Sequence, residues 1–181
     1  MKQILPLFLI FSFNFGSSQN KTEIDSLLGE IAKTDNSKEI SKTEQAQKII
    51  QYGNKILPIL ADFFTDRTIT NVKSECIERN LTKGEIAIIM ADRIEIMPYF
   101  ELTGVQNCLM TFCENNINFI EYYLSYIHRD GTEKFQKKYN EWLLSDYRIK
   151  SRFPSNYESS SERKKRRKEF KEVKLEILDA K

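Results

Sequence analysis

Three carboxylates stand close together near the middle of this 181-residue chain: Glu85, Asp92 and Glu95. On an α-helix, separations of three and seven residues bring all three towards one face. Paired carboxylates in a cleft serve as general acid and base on a glycan, or hold a divalent cation. The plainer reading makes them the polar edge of a buried helix, with Lys83 and Arg93 as local ion partners. Nucleophilic chemistry has less to work with. The single histidine, His128, adjoins Arg129 and Asp130 and reads as a capping or solvated side chain at a helix end. The chain carries no GxSxG, Walker A, Rossmann or HExxH pattern. It also lacks a CxxC pair to start a zinc site, so neither metal nor other cofactor is expected.

The element that must position these carboxylates is apolar. Ile86 to Ala91 is an unbroken hydrophobic run, with Ile94 and Met97 following at helical spacing. Such a run predicts a helix buried on most sides. Thr82 and Glu85 fit a capping box at its start, and Met97-Pro98 ends it. Pro98 to Gly104 then reads as a connector displaying Tyr99 and Phe100, the candidates for an exposed recognition pair. Gly104 to Glu114 returns to helix. The aromatics Phe119, Tyr122, Tyr123 and Tyr126 read mostly as core. After the Asp130-Gly131 turn signal, Thr132 to Tyr147 forms an amphipathic helix with Phe135, Tyr139, Trp142 and Leu143 along one side.

Upstream the pattern is also helical. Ile24, Leu27, Leu28 and Ile31 form one stripe over Lys21 to Lys33, and Thr34 to Lys42 is polar and loop-like. Glu44 to Tyr52 follows as a helix, Gly53 as its C-cap, and a further helix runs from about Lys55 to Phe64. Pro58 is tolerable there only in the first turn. Asp66 to Asn71 reads as a turn, and Val72 to Arg79 as a short polar helix or extended segment.

The string from Ile49 to Asp66 resembles a HEAT-type helical repeat, with Ile49, Ile50, Gly53, Ile56, Leu57, Pro58, Leu60 and Asp66 at the matching positions. The likeness covers about twenty residues and has no second clean copy, whereas an array needs about three units. The stretch from Leu81 to Cys108 looks like a group of small exported bacterial proteins of unassigned function. That resemblance implies no catalytic role.

The N-terminus has the pattern of a secretory signal peptide. Met1-Lys2 is followed by the mostly apolar Ile4 to Phe15, then Gly16, Ser17 and Ser18, so cleavage is expected after Ser18. The apolar core of about 12 residues is short of the roughly 20 that a spanning helix needs, and no transmembrane anchor is expected. Export to an oxidising compartment predicts one bridge among the three cysteines, from Cys76 to Cys108 or Cys113. Cys108 and Cys113, five apart, would diverge around one helix. Three buried thiols are the alternative.

Charge is unevenly divided. Gln19 to Tyr147 holds 15 Lys+Arg against 20 Asp+Glu, net −5; Arg148 to Lys181 holds 12 against 6, net +6. Ile149 to Ser161 reads as a linker. Ser159 and Glu162 then cap a helix opening with Arg163, Lys164, Lys165, Arg166, Arg167 and Lys168. Such a run usually faces water or docks back onto the chain's own acidic body; its attractive partners would be an anionic envelope surface or an acidic protein. Nucleic acid is disfavoured, because aromatics are not interleaved and the chain reads as exported.

The expectation is therefore an all-α protein with a leader (1–18), a helical αα-hairpin or HEAT-like domain (19–147), and a linker with a basic helix (148–181). Its expected function is non-catalytic protein binding outside the cytoplasm, of which an immunity-type inhibitor is one form. The alternative is a carboxylate-dependent envelope hydrolase.

Overall fold

The helix carrying the three carboxylates is walled in by the rest of the chain in a computed structural model that describes residues 15–106, 113, 117–145, 147–148 and 159–179. The side chains of 15–20, and of nine residues of the last helix, lie outside that description, as do the leader to residue 14, Cys108 with most of the helix expected at Gly104 to Glu114, and the linker core.

The chain is mostly α-helical. α1 (Phe15–Ile31) leads through a 3-10 turn (Ser37–Lys42) to α2 (Glu44–Tyr52), a second 3-10 turn (Gly53–Ile56) and α3 (Leu57–Asp62). Two strands, β1 (Ile69–Ser74) and β2 (Arg79–Thr82), precede α4 (Lys83–Ile94). α5 (Tyr99–Thr103), α6 (Glu121–Asp130), α7 (Thr132–Leu144) and α8 (Ser160–Asp179) complete the described elements.

Every residue of α4 from Gly84 to Asp92 is buried, the outcome expected of an apolar run lacking a solvent face. α1, α2 and α3 pack against it, α3 also meets α7, and α5 rests on α6 and α7. Leu28, Ile31, Ile49, Leu57, Leu60 and Ile86 are among the fully enclosed side chains. The break at Gly53 has a local cause: its φ of +65° carries the backbone where a Cβ is unfavourable, and its N–H closes α2 on the Ile50 carbonyl. The helix expected from Lys55 is instead a 3-10 turn and a shorter α3. Pro58 sits in the first turn of α3, where its missing N–H costs little.

A hairpin replaces the turn expected at Asp66 to Asn71, and of the two alternatives for Val72 to Arg79 the extended one holds at its two ends, in β1 and β2. β1 and β2 pair antiparallel, with Ile69 opposite Thr82 and Ser74 opposite Arg79, and an irregularity before Lys73. β1 alternates outward and inward, but two of its three inward side chains are Thr70 and Ser74. Its outer edge is covered, since Asn71 and Lys73 donate N–H bonds to the carbonyls of Ala32 and Asp35.

Cys76, at the hairpin tip, is bonded to Cys113, 37 residues on, with the Cα atoms 5.2 Å apart. This is one of the two pairings expected. Closing a loop of that length removes denatured-state entropy worth about 4 kcal/mol. Urea unfolding with and without prior reduction should differ by that amount, and Cys113→Ser should match the reduced protein.

Candidate functional site

The three carboxylates are all buried, and each is engaged by a different part of the chain. Glu85 is the reciprocal half of the capping box. Its N–H donates to Thr82 Oγ1 at 3.1 Å, and its Oε2 accepts the Thr82 N–H at 2.8 Å. β2 also supplies Arg79, whose Nη1 and Nη2 reach the two Glu85 oxygens at 2.8 and 2.5 Å. A bidentate guanidinium of this kind fixes a carboxylate in position. His128, on α6, brings Nδ1 to 4.0 Å from Glu85 Oε1 while its side chain is 56% exposed. That is beyond hydrogen-bond distance.

Asp92 lies in the last turn of α4, where the chain must change direction ahead of Pro98. Its Oδ1 accepts the Met97 N–H at 2.9 Å and its Oδ2 accepts the Tyr99 hydroxyl at 3.1 Å. These bonds and the positive charge of Arg93 favour the anion, but burial outweighs them and pushes the Asp92 pKa up to about 6. Tyr99 is pushed upward in turn, by burial first and then by the Asp92 charge, and the phenol of Tyr139 on α7 is raised mainly by its own burial, with Asp92 a minor contributor.

The sign of the linkage follows. The folded chain holds the Asp92 proton more tightly than the unfolded one, whose carboxyl titrates near 3.8. This stabilisation is complete below about pH 4 and is lost as pH rises through about 6, a difference of about 3 kcal/mol. Asp92→Asn should flatten that part of the stability–pH curve when wild type and variant are unfolded in urea at several pH values.

Glu95 follows the last helical residue of α4 and is as buried as its partner, Arg148. The Arg148 Nε donates to Oε1 at 3.1 Å and Nη2 to Oε2 at 2.5 Å, while Nη1 reaches the Leu143 carbonyl at 3.2 Å. The guanidinium also lies 5.2 Å from the Trp142 ring centroid. Arg148, read from sequence as the start of the linker and basic tail, instead belongs to the core of the helical body.

The expected local partners are corrected too. Lys83 pairs with Asp25 on α1, and Arg93 donates to the Ile117 carbonyl at 3.3 Å. Arg93 favours the Asp92 anion through its charge alone, whereas Arg79 and Arg148 bond their carboxylates directly. A shallow crevice lies between α5, α6 and α7, lined in part by Leu102, Tyr126, Lys134 and Lys138, and none of the three carboxylates borders it. Among the described residues no group of three or more His, Cys, Asp or Glu is arranged to hold a metal.

The recognition pair divides. Tyr99 opens α5 half-buried, stacked on Tyr123 with ring centroids 4.6 Å apart and 5.6 Å from Phe119. Phe100 is 58% exposed. Ile96, four positions earlier in the chain, is 76% exposed, and Ile117 and Phe119, on the segment held by Arg93 and Tyr99, also face solvent. The basic run opens α8, capped as expected by Ser159 and Glu162: Ser159 N–H donates to Glu162 Oε2 at 2.7 Å. Lys164, Lys165, Arg167 and Lys168 are exposed, whereas the side chains of Arg163 and Arg166 lie outside the described residues.

Sequence reasoning missed a fourth buried acid, Glu121, at the start of α6. It accepts hydroxyl bonds from Ser37 at 3.1 Å and from Ser74, tying α6 to the first 3-10 turn and to β1. A lone glutamate after apolar residues carries no signal of this; only the fold brings the two serines to it.

The fold and the site together define a mostly α-helical protein whose central helix carries buried, individually engaged carboxylates. Among the described residues no helix is long and apolar enough to cross a membrane. No family model, curated protein or solved structure matches the chain.

Proposed function

We propose that this is an exported, non-catalytic module that binds another protein through the surface around α5. The observation that carries the reading is the exposure of the apolar side chains Ile96, Phe100, Ile117 and Phe119, on two segments joined by the Tyr99–Phe119 ring contact. Tyr99 is in turn held by its stack on Tyr123 and its bond to Asp92. Exposed apolar groups on segments fixed in this way suit a protein interface, where a buried aromatic anchor supplies much of the affinity. In this reading α2 and α3, reversing about Gly53, form an αα-hairpin of HEAT-like kind that stiffens the body. The leader is removed after Ser18, as in the small exported bacterial proteins that the central stretch resembles. An immunity-type inhibitor is one form such a module takes.

The test compares capture by mature wild type and by Phe100→Asp from the organism's own envelope fraction. A partner held by the wild type and lost by the variant, with an unchanged melting curve, supports the reading. Equal retention by both rejects it. Mass spectrometry of the exported product should also find Gln19 at its N-terminus.

One observation favours the envelope-hydrolase alternative: Asp92 titrates near 6, in the range of a general acid. Its oxygens are taken by Met97 and Tyr99 rather than presented to a cleft. Loss of a measured cell-wall-degrading activity in Glu85→Gln or Asp92→Asn, in a protein that still folds, would establish that alternative.

A further inference from the structure

We propose that the outward face of α8 binds an anionic phospholipid bilayer, with the helix lying along the surface and Leu175 set into the headgroup boundary. The inference goes beyond protein binding at α5 and uses a different part of the molecule.

α8 lies against the 3-10 turn at Gly53–Ile56 and against α7, which leaves its opposite side to solvent. On that side Lys164, Lys165, Arg167, Lys168 and Lys171 are all exposed. At 100° per residue these five cations span an arc of about 160°, within about 10 Å of helix length. Lys164, Lys165, Arg167 and Lys171 form no ion pair with another described residue, and Lys168 reaches Glu172 only at 3.7 Å. Among the described residues, therefore, no carboxylate of the acidic body pairs with the strip.

Leu175 decides among polyanions. It is 58% exposed and falls near the middle of the same arc, one turn beyond Lys171. A phosphate backbone offers such a leucine nothing. A bilayer takes both parts, lipid phosphates meeting the cations and the headgroup–acyl boundary taking the apolar side chain. The acidic body, net −5 over Gln19 to Tyr147 from 15 Lys+Arg and 20 Asp+Glu, would be repelled by the same surface, so the protein should approach it α8 first.

The experiment is sedimentation of the mature full-length protein with vesicles of phosphatidylcholine, alone or containing about one third phosphatidylglycerol. The expected result is binding to the anionic vesicles only, weakening as salt is raised. Reversing Lys164, Lys168 and Lys171 to Glu should weaken partitioning by about 100-fold or more, at roughly fivefold for each cation removed. Leu175→Ser should weaken it by several-fold, with the loss persisting at high salt. The salt series on wild type needs no variant and keeps the proposal testable if the triple variant fails to fold. Equal binding to neutral vesicles, or none to anionic vesicles at low salt, overturns it. So does duplex DNA bound as tightly as vesicles with Leu175→Ser indifferent, which would assign the strip to nucleic acid.

Discussion

Arg148→Met should destabilise the protein by about 3–5 kcal/mol, the range seen when one member of a buried ion pair is removed. Glu95 is 1% exposed and sits at the exit of the central helix, so its carboxylate would lose its bidentate guanidinium without gaining water. The same change breaks the bond to the Leu143 carbonyl and the contact with Trp142, loosening the end of α7. A buried pair need not stabilise a fold against an apolar pair of the same shape. Glu95→Leu combined with Arg148→Met should therefore recover most of the loss. A double-mutant cycle by urea unfolding would show a coupling of several kcal/mol between the two sites. Additive effects would mean that Arg148 matters only through its packing.

Gly84→Ala is the second large effect. A Cβ at residue 84 would stand 2.6 Å from the Phe64 carbonyl oxygen, 2.7 Å from that of Asp66 and 2.9 Å from that of Phe63. All three obstacles are main-chain atoms at the end of α3, so no side-chain rotation relieves the clash. Gly84 N–H also donates to the Asp66 carbonyl at 2.9 Å, which fixes how closely the two helices approach. Separating them by even a few tenths of an ångström would loosen the packing of Phe64 against Phe135 and Tyr139. The expected cost is roughly 4 kcal/mol, at the extreme for a single substitution. Gly29→Ala is the control, because a Cβ there meets nothing within 4 Å.

Local signals in the sequence located much of this fold. The apolar run predicted α4, Thr82 and Glu85 predicted its cap, and Gly53 and Pro58 marked the end of one helix and the first turn of another. The hairpin stayed hidden because Thr70 and Ser74 occupy inward positions, which leaves Val72 alone to mark the apolar side of β1. Arg148 looked like a linker residue because a single cation near a basic tail reads as part of it; the buried carboxylate that holds it lies 53 positions away. Gly84 resembled any glycine in a first helical turn until three carbonyls from an earlier loop converged on it. Glu85 and Asp92 do lie on α4, with Glu95 just past its last residue. Spacing on one helix carries no sign of their partners, since Arg79 and Arg148 arrive through a strand and through the end of α7. Tyr99 and Phe100 were read as equals, and only the positions of Asp92 and Tyr123 separate the half-buried ring from the exposed one.

In the proposed reading the face around α5 receives a protein, and the bond from Tyr99 to Asp92 ties that face to the central helix. Hydrogen exchange of the mature protein, alone and with the partner captured through Phe100, reads both halves at once. Slowed exchange confined to residues 96–105 and 117–126, with α4 equally slow in both states, is the predicted footprint. Protection falling on α1 and α2 instead, with the α5 region unchanged, would contradict it.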